Sequence, residues 1–306
     1  MISNPSPESS YQIDIQHLQQ NDSQNYITVY KKSPIFSTEK SQKKWTIIAF
    51  SNKAYIPPAE TWYNQLTKIG YKNHKVVSMD DDTFDYFQNK NMRVINATFP
   101  PRKKKRMNKF RQYIFALRFA TISQLLKSGQ NVFISDVDSI WINYRNLNLL
   151  PFPDQIDAFH AVGQQWPIEH YNKYGFVMCG CIQAYRSNQN TIKLFDDLLI
   201  ACDNKCDDQE ILNRMYMDDY KFEWSKKIPG MGDIKFGRST AIGKDLTAML
   251  FDQRDVVRGH DGLKSYQVDF KKLCSEKRAW ILSPEAKPTA KDKIDLLNKT
   301  KACFVE

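Results

Sequence analysis

The sequence contains no uninterrupted apolar run of the ~20 residues that a membrane-spanning helix requires. Its first residues, MISNPSPESSYQIDIQHLQQNDSQ, have neither a basic stretch nor the apolar segment of a secretory signal. From this a cytoplasmic protein is expected, or a Golgi-lumenal one should the chain be a trimmed fragment. Internal repeats are absent. None of the six cysteines (Cys179, Cys181, Cys202, Cys206, Cys274, Cys303) form the CxxC pairs of a zinc ribbon, and reduced thiols are the expectation. Acidic side chains are in deficit, 34 against 44 basic, for a net charge of +10. Much of the excess lies in PPRKKKRMNKFR (100–111), which reads as a solvated loop, with contact to an anionic membrane through Arg102–Arg106 as the alternative.

What is present suits a large core: 306 residues, 42% apolar. Residues 1–44 are polar and read as a partly ordered arm. Residues 45–306 read as a single domain, with a nucleotide-binding half (45–150) and an acceptor-binding half (151–306). WTIIAFSN (45–52), HKVVSMD (74–80) and MRVINA (92–97) read as strands, with helices at 58–70 and 81–90 between them. This alternation predicts an α/β fold with a mostly parallel central sheet. A long helix at 109–129, closed by Gly129, leads into FISDVDSIWI (133–142). Strands follow at 157–163 and 174–186, and helices at 188–204 and 207–219. The segments beyond 220 are expected to wrap over the sheet face, and the glycine-rich 228–239 to form a mobile loop.

Asp136 and Asp138 fall just past the carboxyl end of a buried strand, where open α/β sheets bind ligands. Converging carboxylates repel unless a cation joins them, and hard oxygen donors suit Mg²⁺ or Mn²⁺. A solvated turn is the plainer explanation. In CDDQEILNR (206–214), Asp207 and Asp208 would serve equally as first-turn acids of a helix. In RGHDGLKSY (258–266), His260 is followed by Gly262 and by Lys264, which could face a phosphate.

Taken together, FISDVDSIW, LRFATISQLLKSG, CGCIQAYRSNQNTIKLFDDL and DDQEILNR resemble the nucleotide-diphospho-sugar transferases of glycosyltransferase family 77. HDGLK and the DQxxLN box also resemble the retaining family 8 enzymes. The resemblance spans roughly 45–265 and implies a Rossmann-like GT-A fold with a DxD motif. It implies a manganese or magnesium ion held by Asp136, Asp138 and His260. It implies a UDP-sugar donor beside Ser51, Asn52, Lys53, Arg118, Asp136, Val137, Gly180, Gly262 and Lys264. Asp208 and Gln209 would lie next to the anomeric carbon. A retained configuration and transfer of galactose or xylose to a glycan hydroxyl are further implications. Trp224 and Tyr216 are expected to stack on the acceptor, and no nucleic acid is expected as partner. Where the family often has Gly and Phe, this chain has Cys181 and Ile182, and Pro-Trp does not follow HDGLK. Two competing readings are a haloacid-dehalogenase-like phosphatase, which also carries a DxD, and a non-enzymatic binder of nucleic acid or anionic surfaces.

Overall fold

The computed structural model describes residues 44–97, 107–150, 155–163, 165–202, 207–225, 235–253, 255–258 and 280–283. Nearly all of the N-terminal arm, Arg102–Arg106, and His260, Gly262 and Lys264 lie outside the described residues.

The chain starts with β1 (Trp45–Ser51), α1 (Ile56–Lys68), β2 (His74–Ser78), α2 (Asp81–Asn89) and β3 (Val94–Asn96). Then α3 (Met107–Lys127), β4 (Asn131–Ser135) and the short β5 (Ile140–Trp141) follow. Next are β6 (Ala158–Val162), α4 (Ile168–Tyr174), β7 (Met178–Tyr185), α5 (Gln189–Ala201) and α6 (Asp208–Arg214), which runs into a π-helical turn at Met215–Asp219. The described chain ends with β8 (Phe222–Trp224), β9 (Phe236–Ser239), β10 (Thr247–Leu250), β11 (Val256–Arg258) and β12 (Ile281–Ser283).

Nine strands make one sheet, in the order β3-β2-β1-β4-β7-β6-β10-β9-β8. β1 pairs in parallel with β2 and β4, and β2 with β3, as crossover helices require. β7 is antiparallel to both β4 and β6, so β4 and β6 run the same way and end at the same edge. Alternate residues of β1 feed opposite faces of the sheet. Ile48 packs under α3, α5 and α6 with Val77, Ile134, Leu126 and Phe195. Ile47 and Ala49 pack under α1 and α2 with Trp62, Leu66 and Phe87. Both faces of the sheet are therefore buried.

The helix boundaries have local causes. Asp80 caps α2 by accepting the Thr83 N–H at 2.8 Å. Asn188 and Thr191 form a reciprocal capping box on α5. Gly129, at φ +83°, turns the chain out of α3 and into β4.

Two expectations are corrected. Residues beyond 220 do not simply cover the sheet: β8, β9 and β10 extend it, and of the expected loop 228–239 the last four residues are the strand β9, while 228–234 lie outside the described residues. Among the described residues beyond 220, those of the small sheet β11-β12-β5 lie over a face, through Trp280 and Ile281 beside Trp141. The thiols are not all reduced either. Cys179 and Cys181 are disulfide-bonded within β7, their Cα atoms 5.3 Å apart on one strand face, and Cys202 is disulfide-bonded too.

Candidate active site

The ends of β1, β4 and β6 and the start of β7 meet at one edge of the sheet. At the end of β4, Ser135 is fully buried and its hydroxyl receives two indole N–H bonds, from Trp62 at 3.2 Å and Trp141 at 3.1 Å. The main chain then turns. Asp136 N–H donates to the Cys181 carbonyl (2.9 Å), and Ser139 N–H donates back to the Asp136 carbonyl (3.0 Å). Val137 enters the core beneath α1, and Asp138 is buried. The Asp136 side chain keeps 35% of its surface exposed, so one carboxylate of the pair faces outward.

Arg118, on α3, is the hub. Its side chain is only 15% exposed. Nη1 pairs with Asp208 at 2.7 Å, Nη2 donates to the Gly180 carbonyl at 3.1 Å, and Nη2 stands 3.8 Å from Asp136. Its guanidinium also lies 5.3 Å from the Phe50 ring centroid. Burial opposes its charge, but Asp208 and Asp136 more than offset that, and its pKa is raised.

Asp207 is the N-cap of α6 and accepts the Glu210 N–H at 3.0 Å, which leaves Asp208 to turn toward Arg118. Gln209 is held at both ends: its Oε1 accepts the Gly180 N–H (3.2 Å), and its Nε2 donates to the Trp166 carbonyl (2.6 Å). Asn213 sits one turn on and is fully buried. It accepts the Met178 N–H at 2.8 Å and donates to the Met178 carbonyl at 2.9 Å, locking α6 to β7. Of the DQxxLN box, the first two residues thus face the site and the last is a structural pin.

At the end of β1, Ser51 is buried. Asn52 caps a short 3₁₀ turn by accepting the Ala54 N–H at 3.1 Å. Lys53 N–H donates to Asp80 at 2.8 Å, and its ammonium pairs with Asp82 at 2.9 Å in the open.

The structure gathers Arg118, Asp136, Gly180, Asp208 and Gln209 into one bonded cluster. Tyr216 and Trp224 do not join it. Tyr216 is fully buried on its π-helical turn, its hydroxyl 2.9 Å from His160 Nε2. Trp224 packs edge-on against Phe176 and flat beside Tyr216. An acceptor cannot stack on a ring already enclosed by the core, so the expected acceptor role of Tyr216 is withdrawn, whereas Trp224 is only partly buried. Ser135 and Asp80 were not singled out from sequence. The signal for Asp80 is its place three residues before Thr83 at a helix start; for Ser135 there is none, because its partners come from α1 and β5.

A divalent cation can be weighed against these residues. Among the described residues no group of three His, Cys, Asp or Glu side chains converges. The donors on hand are the carboxylates of Asp136 and Asp138 on one turn. That set fits Mg²⁺ or Mn²⁺, which proteins commonly hold through one or two carboxylates plus substrate phosphates. Among the described residues no helix is long and apolar enough to cross a membrane.

Residues 70–297, more than half of the chain, match the family model described as nucleotide-diphospho-sugar transferase. Among solved structures, the bifunctional glycosyltransferase WbbM in its apo form is similar in fold, with a TM-score of 0.51 at 10% identity over 88% of this chain and 52% of that one. The chain thus spans about half the length of that protein. A glycosyltransferase involved in glycosylation of the major capsid of PBCV-1 aligns at a TM-score of 0.45 and 9% identity, over 83% of this chain and 99% of that one. No curated protein matches by sequence.

Proposed function

The chain belongs to the nucleotide-diphospho-sugar transferase family, and from that premise we propose that it is a metal-dependent, retaining glycosyltransferase that moves a sugar, galactose or xylose, from a UDP-sugar to a glycan hydroxyl. The observation that carries the reading is the cluster of Arg118, Asp208, Gly180 and Gln209 beside Asp136, at the carboxyl edge of the central strand. Within the family, the order of DVD, DQxxLN and HDGLK favours a kinship with glycosyltransferase families 77 and 8.

Asp136 and Asp138 would hold Mn²⁺ or Mg²⁺ together with His260. When bound, the ion supplies positive charge that offsets the diphosphate. The bond from the anomeric carbon to the diphosphate oxygen breaks, the acceptor oxygen bonds to that carbon, and the acceptor proton leaves with the nucleoside diphosphate or to solvent. Positive charge grows on the sugar meanwhile, so an electron-rich group beside it lowers the barrier. Asp208 supplies that charge, and Arg118 fixes its direction by holding it at 2.7 Å. Asn52 and Lys53, at the end of β1, would stand at the nucleotide side, with Ser51 and Val137 contributing main chain only, and Lys264 and Gly262 would serve the phosphates.

The test is a panel of UDP- and GDP-sugars offered with Mn²⁺, with release of nucleoside diphosphate as the signal. One UDP-sugar is expected to be turned over, EDTA to abolish turnover and Asp138→Asn nearly to do so. Turnover unaffected by EDTA, or confined to GDP-sugars, refutes the proposal as stated.

A further inference from the structure

Tyr216 is enclosed and Trp224 is partly buried against the core, and a third aromatic side chain stands more open than either. Of the six tryptophans, Trp45, Trp62, Trp141 and Trp280 are buried and Trp224 is packed against the core, whereas Trp166 is 53% exposed. An exposed indole joins a flat apolar body to a polar N–H, the combination that suits contact with a partly polar ligand. Its place is specific. Trp166 lies four residues past the end of β6, at the same edge of the sheet as the Asp136 turn, because β6 and β4 run the same way on either side of β7.

Trp166 is also tied to the candidate chemistry. Its carbonyl accepts Gln209 Nε2 at 2.6 Å, and Gln209 Oε1 accepts the Gly180 N–H, whose own carbonyl receives Arg118. Two residues on, Ile168 is 43% exposed as well, which widens the apolar surface. Pro167 between them is buried and anchors the segment. The result is an open aromatic face on a fixed stem, one hydrogen bond from Gln209.

Resting on the transferase reading above, we propose that Trp166 is the floor of the acceptor subsite and stacks on the apolar face of a pyranose ring. A pyranose shows a patch of C–H groups on one face and hydroxyls around its rim. A flat indole matches the first, and the exposed Gln165 and Glu169 beside it match the second. The acceptor is thus a pyranosyl glycan rather than a protein hydroxyl presented alone.

The probe is an array of immobilised pyranosyl oligosaccharides, read with the labelled full chain in Mn²⁺ and UDP. The wild type is expected to be retained by at least one saccharide. Trp166→Ala should weaken that retention about tenfold or more, and Trp166→Phe, which keeps a stacking face, should stay within about threefold of the wild type. Melting curves of both variants check that the fold is kept, as expected for an exposed position. Retention of Trp166→Ala equal to the wild type overturns the proposal, and so does the absence of any retained saccharide. UDP uptake by the wild type, measured by calorimetry, separates the two readings. No uptake sinks the donor assignment, whereas uptake with no saccharide retained sinks the acceptor platform alone.

Discussion

Replacing Arg118 with methionine keeps most of its volume and removes its charge. Arg118 and Asp208 are 15% and 14% exposed, so their ion pair belongs with buried pairs, not with surface ones. Exposed pairs are worth about 0–1 kcal/mol. Removing one partner of a buried pair costs about 3–5 kcal/mol, because the other charge is left in a poor solvent. Here the Gly180 carbonyl loses its guanidinium donor as well, and Asp136 loses a cation 3.8 Å away. Partial access of water to Asp208 puts the expected loss near the lower end, about 3 kcal/mol. That is a large share of the ~5–15 kcal/mol that holds a typical domain together. The assay is urea unfolding followed by tryptophan fluorescence at neutral pH. The companion variant is Arg118→Met with Asp208→Asn, which removes both charges and should recover about 2 kcal/mol of the loss while remaining inactive in transfer. A loss below about 1 kcal/mol for Arg118→Met would refute the reasoning, since it would mean that water screens the pair as it does on a surface. Equal losses for the single and double variants would refute it too, because the cost would then come from packing.

The remaining predictions concern stability and the sheet edge. Burial holds His160 at a pKa of about 3, and burial aided by nearby positive charge holds His74 and His170 at about 4. Each folded-state value lies below the ordinary 6.5, so the unfolded chain binds more protons between the two values and stability falls as the pH drops below 6.5. With about 1.4 kcal/mol per pH unit per group, the three together predict a slope of roughly 4 kcal/mol per unit between pH 6 and 4.5. Chemical denaturation across that range measures it, and a flat profile contradicts the burial of these rings. At the β8–β9 edge, a Cβ on Gly237 would lie 2.6 Å from the Trp224 ring and 2.9 Å from Phe222, so Gly237→Ala should destabilise the fold by about 1–3 kcal/mol. Its urea midpoint reports this, and an unchanged midpoint would show that the edge strand gives way without cost.

How much of this molecule could be read from its residues depends on how locally each feature is determined. The strands β1, β2 and β4 are short apolar runs bounded by polar residues, α1 opens on Pro57 and Pro58 and α2 carries its own cap in Asp80, so the parallel half follows from neighbours in the chain. The turn at Asp136–Asp138 follows for the same reason: two carboxylates cannot continue a doubly buried strand, so they must stand at its end. The far half is different. β8, β9 and β10 are three or four residues long, too short for an alternation to declare itself, and they become strands only because each finds a partner edge. The burial of Tyr216 was not legible on the same account. Tyr216, Trp224 and Trp166 are alike as letters, and nothing local says which will be covered. Tyr216 is enclosed because its hydroxyl meets His160 from β6, a contact across 56 positions of sequence. Trp166 stays open because its backbone, not its ring, is what Gln209 holds. A side chain anchored through its main chain leaves the surroundings of its ring to distant parts of the chain, and that is why sequence pattern gave no reason to choose Trp166.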